Sequence, residues 1–347
     1  MAAGDYRHGG DSYGLHRVVS PHGVLPQAAE KLDASLPIYD NELLIRVERL
    51  NIDAASFALL KQETKGDAKA LAAWVLSLVN RHGKLHNPIT HSGGCLLGQV
   101  EQVGPEFPRG KFTVDHRIAT LVSLTLTPLH LDEVVSVDMN SHQLQVSGHA
   151  ILFASGIAAV LPDDLPETIA LSVLDVCGAP ATVPRVVQPG NIVVVLGAGK
   201  AGVLTMAAAK EIVGADGMII AVDQSAAAIG ALQPCSFVDE GIVIDATNPI
   251  AVPQKIKEVT GKMADVVFNC ASAPHTEIAS VLACRPGGTV VFFNMTTNFQ
   301  ATVLGAEGLA HDVKLLMGSG YVPGHAEFAC DLLRRSPPLR SWFASKV

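Results

Sequence analysis

Residues 191–202 read NIVVVLGAGKAG, an apolar run followed by three glycines in the spacing GxGxxG, and an acid, Asp223, follows 21 residues after the last glycine. The apolar run is typical of a buried strand in a parallel sheet. Gly197 allows a tight turn out of this strand, Gly199 allows a pyrophosphate to approach the backbone, and Gly202 allows the next helix to pack closely. The pattern predicts a βαβ unit that binds a dinucleotide, with an ordinary glycine-rich turn as the alternative.

The same unit supplies further candidate contacts to a dinucleotide. The helix after the glycine turn directs N–H groups and the positive end of its dipole at the phosphates. Asp223 is suited to accept hydrogen bonds from ribose hydroxyls and to repel a 2′-phosphate, which predicts NAD. Ligands of such sheets lie beyond the carboxyl ends of the strands. The predicted cofactor-binding residues are Gly197, Gly199, Lys200, Ala201, Gly202, Asp223, Asn269, Cys270, Asn294 and Met295.

Composition restricts the class of protein. The chain has 347 residues, enough for two domains, and its 48% hydrophobic residues predict a large core. The net charge of −8 argues against nucleic acid as a partner; such acidity keeps a protein soluble or favours a cationic substrate. The sequence has no apolar run of about 18 residues, so we expect no membrane span. Six scattered cysteines without CxxC spacing are typical of a reduced, cytoplasmic protein.

Two patterns divide the chain. Short strand signals predict a β-rich, barrel-like domain over residues 1–160, which begins with an irregular arm at 1–36. Alternating strands and helices predict a doubly wound parallel sheet over 161–320, and two helices close the chain at 321–347. The predicted elements of the first part are strands at Glu42–Arg49, Leu96–Val103, Arg117–Leu126 and Leu144–Ala154, and a helix at Asp67–Arg81.

The order of these domains resembles the medium-chain dehydrogenase/reductase superfamily, an α/β fold of a GroES-like barrel domain and a Rossmann domain. The resemblance rests on NELLIRVERLNID (41–53), GGCLLGQVEQVG (93–104), DHRIATLV (115–122) and the Rossmann half. Within it, the chain is similar to the L-erythro-3,5-diaminohexanoate dehydrogenase family. The matching segments are YGLHRVVSPHGVLPQ (13–27), IYDNELLI (38–45), NIDAASF (51–57), NPITHSGG (87–94), LVSLTLTPL (121–129), LPDDLPETIALSVLDVCGAPA (161–181), LGAEG (304–308) and GHAE (324–327).

The resemblance also indicates where a metal would be. Zinc-dependent members use a Cys or Asp near the end of the first strand, a Gly-His-Glu before the second, and a later Cys. These positions fall here at Asp53, at Gly93-Gly94-Cys95 and near Asp175 to Cys177. Two carboxylates and scattered cysteines do not form a convincing set of three ligands. We therefore expect neither a catalytic nor a structural zinc.

Without zinc, the resemblance points to carboxylates that bind an amine. An amine needs only to lose its ammonium proton before its lone pair drives hydride loss, and a carboxylate can hold that ammonium. We expect Asp53 to bind the reacting C3 amine; the alternative is that it caps a turn or helix. Asp175 is the second candidate, as a contact for the second ammonium, with an exposed or paired acid as the alternative.

Other residues are candidates for the remaining groups of the substrate. Ser92 and Ser123, the latter with Thr125, offer hydroxyls and nearby N–H groups to a carboxylate. Glu307 is a further candidate ammonium ligand, and an ordinary acid at a helix start explains it equally well. The family pattern differs at Ala198-Gly199 and at Asp223, which bears on NAD versus NADP.

The resemblance implies an NAD-dependent oxidative deamination of (3S,5S)-3,5-diaminohexanoate to (S)-5-amino-3-oxohexanoate and ammonium, a reaction of lysine fermentation. The alternatives are a zinc-free, NADPH-dependent quinone or enone reductase, which Asp223 disfavours, and a non-catalytic nucleotide-binding protein. The expected partners are this small diamino acid and a second copy of the chain in a homodimer, without nucleic acid or membrane.

Overall fold

The computed structural model describes residues 5–86, 93–108, 112–294, 296–318 and 320–346. Two compact units meet in the chain between Asp175 and Val176. The boundary lies later than the residue 160 expected from the sequence, and the closing helices belong to the second unit rather than to a separate segment. The predicted α/β class, with a β-rich part before a parallel sheet, is confirmed.

The first unit is built on an antiparallel six-stranded sheet in the order β6-β7-β3-β4-β5-β8. Its strands, with an additional hairpin formed by the first two, are β1 (Val18–Ser20), β2 (Lys31–Leu32), β3 (Leu43–Asn51), β4 (Cys95–Val103), β5 (Arg117–Thr120), β6 (Leu129–Asp138), β7 (Gln143–Leu152) and β8 (Ala158–Val160). Its α-helices are α1 (Ala54–Glu63), α2 (Ala68–His82) and α3 (Glu167–Leu174).

Strand β3 lies at the centre of this unit because its residues are apolar on the face that meets the core. Leu43, Ile45 and Leu50 are fully buried, in one cluster with residues of α1 and α2. The predicted helix at 67–81 is confirmed: Asp67 caps it with bonds to two backbone N–H groups, and Gly83 ends it at φ 64°.

Several elements of the first unit differ from the sequence-based expectation. Strand β5 ends at Thr120 rather than at residue 126, since Leu121 donates to Ile157 and the chain then turns at Ser123. Helix α1 and strand β6 were not predicted. The apolar residues of α1 form no clear stripe, and β6 is an edge strand whose residues beyond Leu131 are mostly exposed.

Ion pairs explain why α3 belongs to the first unit. Glu167, at the start of α3, accepts bonds from Arg49 at 3.1 Å and from Arg117 at 2.7 Å. Arg117 also pairs with Glu48 at 2.7 Å. Two arginines of the sheet therefore hold the helix, and the division between the units falls after it.

The N-terminal arm is anchored by a buried ion pair rather than being a loose extension. After a short 3-10 helix at Leu15–Arg17, the Arg17 guanidinium donates to both carboxylate oxygens of Glu42, at 3.0 and 2.6 Å, and both side chains are fully buried. Burial opposes ionisation of Glu42, but hydrogen bonds from His16 and Arg17 outweigh it and lower the Glu42 pKa.

A buried lysine forms a second anchor of the arm. The Lys84 ammonium has no exposed surface and donates to the carbonyl oxygens of Pro26, at 2.9 Å, and Gln27, at 3.3 Å. In the described part of the chain no carboxylate pairs with it. Burial lowers the Lys84 pKa to about 8.

The second unit contains a six-stranded parallel sheet in the order β11-β10-β9-β12-β13-β14. Its strands are β9 (Ile192–Leu196), β10 (Met218–Asp223), β11 (Glu240–Val243), β12 (Ala264–Asn269), β13 (Cys284–Phe292) and β14 (Lys314–Met317). Its helices are α4 (Gly178–Val186), α5 (Lys200–Val213), α6 (Ala226–Gly230), α7 (Ala251–Thr260), α8 (Glu277–Ala283), α9 (Phe299–Gly308), α10 (His325–Arg335) and α11 (Pro337–Ala344). The strand order runs outward in opposite directions from β9 and from β12, so the topological switch point lies between these two strands. Doubly wound sheets bind their ligands at this point.

Among the described residues, no single helix is both long and apolar enough to cross a membrane; the bent pair formed by α3 and α4 reaches the length only when its two helices are taken together.

Candidate dinucleotide and substrate sites

The three glycines of the 197–202 turn have different surroundings. Gly197 has a φ of 94°, and a β-carbon there would lie 2.7 Å from the backbone nitrogen of Ala271, beyond the end of β12. A β-carbon at Gly202 would lie 1.9 Å from the carbonyl oxygen of Gly197. Both positions therefore require glycine for the fold itself. A β-carbon at Gly199 would meet no described atom within 4 Å.

The open space over Gly199 fits a bound pyrophosphate. Gly199 is the residue before α5, and no described side chain caps this helix end or places an acid in its first turn. N–H groups at a helix start otherwise need acceptors, and phosphate oxygens supply them. Lys200 and Ala201 are half-buried at this end, where Lys200 makes a contact of its own. The residues present therefore fit a dinucleotide.

Asp223 is tied to the glycine turn. One of its carboxylate oxygens accepts the N–H of Ala198 at 2.8 Å, and the other accepts the N–H of Ser225 at 2.8 Å. The residue therefore sets the position of the turn as well as placing a negative charge at the end of β10. A carboxylate has about four acceptor positions, so these bonds are compatible with further bonds to a ribose.

Asn269 has a structural role that the sequence did not indicate. Its amide nitrogen donates to Thr276 and Ser280, at 2.8 and 2.9 Å, and its oxygen accepts from Ala271 and Asn294, at 3.2 and 2.8 Å. These four bonds use the full capacity of a buried amide. The Asn269 side chain is therefore not available to a cofactor, and it instead holds together the loops after β12 and β13.

The other predicted cofactor contacts near Asn269 are Asn294, Met295 and Cys270. The Asn294 oxygen is occupied by Thr296 and Thr297, and Met295 lies outside the described residues. Burial raises the pKa of the Cys270 thiol to about 12, against a smaller opposing effect of a hydrogen bond with Thr205. Cys270 is therefore a neutral thiol beside the glycine turn rather than a reactive one.

In the first unit, Asp53 caps helix α1. Its carboxylate accepts the Ser56 backbone N–H at 2.9 Å and the Ser56 hydroxyl at 2.6 Å. The capping interpretation is thus confirmed. A ligand-binding role is compatible with capping, because a carboxylate has about four acceptor positions. Gly94 lies directly against this turn, since a β-carbon there would be 2.8 Å from the Asp53 nitrogen.

The predicted loop at Ser123 lies beside the same glycine. Leu124 donates its N–H to the Gly94 carbonyl at 3.0 Å, and Ser123 Oγ accepts the Thr125 N–H at 3.3 Å. Thr125 Oγ1 lies 3.4 Å from the Leu85 carbonyl oxygen and 3.2 Å from His86 Nδ1. Asp53 and Ser123 are therefore brought together, whereas Ser92 lies outside the described residues.

Asp175 lies towards the same end of the first unit. It directly follows α3 and keeps helical dihedral angles. Ser172 lies three residues earlier, and its Oγ is 3.5 Å from Gln143 Nε2. The same nitrogen donates to Oδ1 of Asn51 at the end of β3. Residues three apart share a helix face. The Asp175 side of α3 is therefore turned to the strand end that Asp53 follows.

Glu307 does not lie at a helix start. Helix α9 begins at Phe299, where Asn298 caps it by accepting the Ala301 N–H at 2.9 Å, and Glu307 is an exposed residue of its last turn. The helix-start interpretation is wrong because Asn298, which supplies the cap, precedes Glu307 by two turns. A ligand role for Glu307 stays a prediction.

The described residues contain no group of three His, Cys, Asp or Glu side chains that could hold a metal ion. The expectation of a zinc-free protein stays a prediction. Sequence reasoning missed His86, Gln143 and Asn51. Asn51 lies within the quoted segments 41–53 and 51–57, and His86 lies next to the quoted segment 87–94, so their positions could have drawn attention to them. The contacts of Gln143 join residues far apart in the chain and leave no signal in the sequence.

Comparison with known proteins identifies the relatives of this chain. The N-terminal domain model of L-erythro-3,5-diaminohexanoate dehydrogenase matches residues 16–162, and a model described as zinc-binding dehydrogenase matches residues 201–334. L-erythro-3,5-diaminohexanoate dehydrogenase of Acetoanaerobium sticklandii is 42% identical over 96% of this chain and 98% of its own length. The enzyme of the same name from Fusobacterium nucleatum is also 42% identical, with the same coverage.

Solved structures support the fold. Alcohol dehydrogenase TADH from Thermus sp. ATN1 has a TM-score of 0.56 at 17% identity, covering 90% of this chain and 88% of that one. A quinone oxidoreductase of Pseudomonas syringae has a TM-score of 0.54 at 18% identity, covering 92% and 85%. The fold is thus the GroES-like and Rossmann pair of medium-chain dehydrogenases, and a dehydrogenase of this kind uses a nicotinamide nucleotide. The chain belongs to the L-erythro-3,5-diaminohexanoate dehydrogenase family.

Proposed function

We propose that this protein uses NAD to deaminate (3S,5S)-3,5-diaminohexanoate oxidatively to (S)-5-amino-3-oxohexanoate and ammonium, a step of lysine fermentation. The observation that carries the proposal is the Asp53 carboxylate, which follows β3 beside Gly94 and the Ser123 loop. The names of the two 42% identical relatives support the substrate.

Asp53 and Asp175 supply the charges that a diamine requires. In this proposal Asp53 binds the C3 ammonium, accepts its proton as the lone pair is released and passes that proton to water, so that the ionised carboxylate stabilises the cationic iminium formed on the substrate. Asp175 binds the C5 ammonium, and hydroxyls such as those of Ser123 and Ser92 receive the carboxylate. A bound nicotinamide would supply the acceptor for the hydride that leaves C3. Water then adds to C3 and ammonium leaves, so the substrate with its C3 ammonium, NAD⁺ and water give ketone, NADH, ammonium and a proton.

The choice of NAD over NADP rests on Asp223. Its carboxylate stands at the end of β10, where the ribose of a dinucleotide binds in this fold. A 2′-phosphate there would meet like charge, whereas a ribose diol would meet an acceptor.

Initial rates of NADH formation with 3,5-diaminohexanoate test the reaction, and Asp53→Asn tests its central residue. Asparagine caps a helix about as well as aspartate, so stability should change little. Turnover should fall at least a hundredfold, because the charge that holds the ammonium is lost. Asp67→Asn is the matched control, since Asp67 caps α2 in the same unit by the same type of bond.

Three results would contradict the proposal. Full turnover by Asp53→Asn would remove Asp53 from the reaction. Reduction of enones with NADPH, without any oxidation of the diamine, would make the protein a reductase. Nucleotide binding without turnover of an amine or enone would make it a non-catalytic binding protein.

We infer that the protein forms a homodimer through the edge of its parallel sheet and works in the reduced cytoplasm. Strand β14 is an edge strand, and Leu316 and Met317 on it are exposed. Open edges with apolar side chains favour pairing with another strand. The six cysteines are free thiols, which supports the compartment. Sedimentation of Leu316→Lys should show monomers if the edge forms the contact, and unchanged dimers if it does not.

A further inference from the structure

The amide of Asn51 is buried at the end of β3 with half of its hydrogen-bonding groups unused. The residue is 1% exposed, and its Nδ2 has no partner in the described part of the chain. Its Oδ1 accepts from Gln143 Nε2 at 3.2 Å. A buried polar group without a partner destabilises the folded state, so such groups are uncommon in folded proteins and frequently indicate a missing ligand or water.

The neighbours of Asn51 establish that the unused group is a donor. Arg49 can only donate, and its Nη1 lies 3.3 Å from one end of the Gln143 amide, which must therefore be the oxygen. The other end of that amide is the nitrogen, which also lies 3.3 Å from the Thr168 carbonyl. This nitrogen can meet only the oxygen of Asn51. The N–H groups of Asn51 are thus the ones without a partner, and their ligand must be an acceptor.

The position of Asn51 connects this donor to Asp53. Ile52, between the two residues, packs into the core of the first unit. Side chains alternate along an extended chain, and Asp53 has extended dihedral angles, so Asn51 and Asp53 share the opposite face. Their Cα atoms are about 6.6 Å apart at the usual rise of a strand. A carboxylate and an amide donor at this spacing complement a molecule whose ammonium and carboxylate are separated by two carbon atoms.

We propose that Asn51 is a substrate-binding residue whose Nδ2 donates to the carboxylate of a β-amino acid while Asp53 holds its amine. This inference rests on the proposed function and adds a buried amide donor for the carboxylate to the hydroxyls proposed there. An ammonium cannot be the ligand, because it has no acceptor. Gln143 is the positioning residue, since it holds the Asn51 oxygen and thereby turns the N–H groups away from itself.

The test compares 3,5-diaminohexanoate with its primary amide, 3,5-diaminohexanamide. Asn51→Leu removes the donor at similar volume, and Asn51→Asp replaces it with a negative oxygen while keeping an acceptor for Gln143. We expect kcat/KM for the acid to fall roughly ten- to a hundredfold in Asn51→Leu, the effect of losing a hydrogen bond to a charged group, with a much smaller change for the amide. Asn51→Asp should favour the amide over the acid, because an amide can donate to it.

Asn41→Leu is the matched control. Asn41 is also buried, lies before the other end of β3, and has an oxygen without a partner among the residues that the structure describes. The Asn41→Leu variant should prefer the acid over the amide as strongly as the parent protein does. Titration calorimetry of both ligands measures the same preference without turnover, so the inference is tested even if the proposed reaction does not occur. Equal losses for acid and amide in the Asn51 variants would overturn the inference, since only a buried water or the packing would then depend on Asn51.

Discussion

The buried Lys84 makes a quantitative prediction about stability and pH. Its pKa falls from 10.5 to about 8 on folding because its ammonium loses water and gains only two carbonyl oxygens. At about 1.4 kcal/mol per pKa unit, this shift disfavours the folded state by roughly 3 kcal/mol at neutral pH. Between pH 8 and pH 10 the unfolded chain binds more protons at Lys84 than the folded one, so stability must rise with pH. About 2 kcal/mol should be recovered over this range.

The comparison is between the parent protein and Lys84→Met. Methionine has a similar length and no titrating group, so every other titration cancels in the difference. The lost bonds to Pro26 and Gln27 give a constant offset, because the carbonyl oxygens do not titrate. The free energy of unfolding of the parent, relative to the variant, should therefore increase by about 2 kcal/mol from pH 8 to pH 10.

Urea unfolding followed by tryptophan fluorescence can isolate the first unit. The sequence has two tryptophans, Trp74 on α2 in the first unit and Trp342 on α11 in the second. Because Trp342 Nε1 has no partner among the described residues, Trp342→Phe loses no known hydrogen bond and leaves Trp74 as the reporter. If the free energies of unfolding of the parent and of Lys84→Met change with pH in parallel, to within about 0.5 kcal/mol, Lys84 does not have a lowered pKa and the argument from burial fails.

The glycines, Asp223 and Glu42 give three further predictions. Gly199→Ala should leave the thermal unfolding of the nucleotide-free protein unchanged but weaken NAD binding in calorimetry. Gly202→Ala should lower the unfolding temperature itself, because its β-carbon would collide with the backbone. Lowered stability in Gly199→Ala with unchanged stability in Gly202→Ala would refute this assignment. Asp223→Asn should raise kcat/KM with NADP relative to NAD at least tenfold, as expected when a repelling charge is removed, and an unchanged ratio would mean that Asp223 only positions the glycine turn. Glu42→Gln should lower the free energy of unfolding by roughly 3 kcal/mol, since the buried Arg17 would keep only the more distant Asp33, at 3.6 Å, as a charged partner among the described residues; a change below about 1 kcal/mol in chemical denaturation would contradict it.

The second unit could be predicted from the sequence because its signals are local. All five residues of β9 are buried, so that the strand reads as a continuous apolar run, and the glycines mark its end. Strand β6 carries no such signal, since only Leu129 and Leu131 of its ten residues are buried. The boundary at Asp175 was also out of reach, because it depends on ion pairs of Glu167 with arginines far away in sequence.

In the candidate site, too, the sequence predicts the residues that local patterns mark and not the contacts between residues far apart in the chain. Asp53 could be selected from its position in the family pattern, and the glycine turn from its spacing. The role of Asn269 could not be predicted, since it follows from four partners that only the folded chain brings together. The orientation of Asn51 depends on Gln143 and Arg49, and no spacing in the sequence reveals which end of an amide is occupied.

Strand β3 has a consequence for laboratory evolution of the substrate range. Glu42, which anchors the arm, directly precedes the strand, and Asn51 ends it, so the two lie about 30 Å apart at the usual rise per residue. Substitutions at sites this far apart usually have additive effects. Variants at residues 51–56 should therefore keep the stability that the Arg17–Glu42 anchor provides, whatever they lose locally at Asn51, at the buried Ile52 or at the Asp53 cap. The strand thus separates the end that supports folding from the end that carries the candidate site.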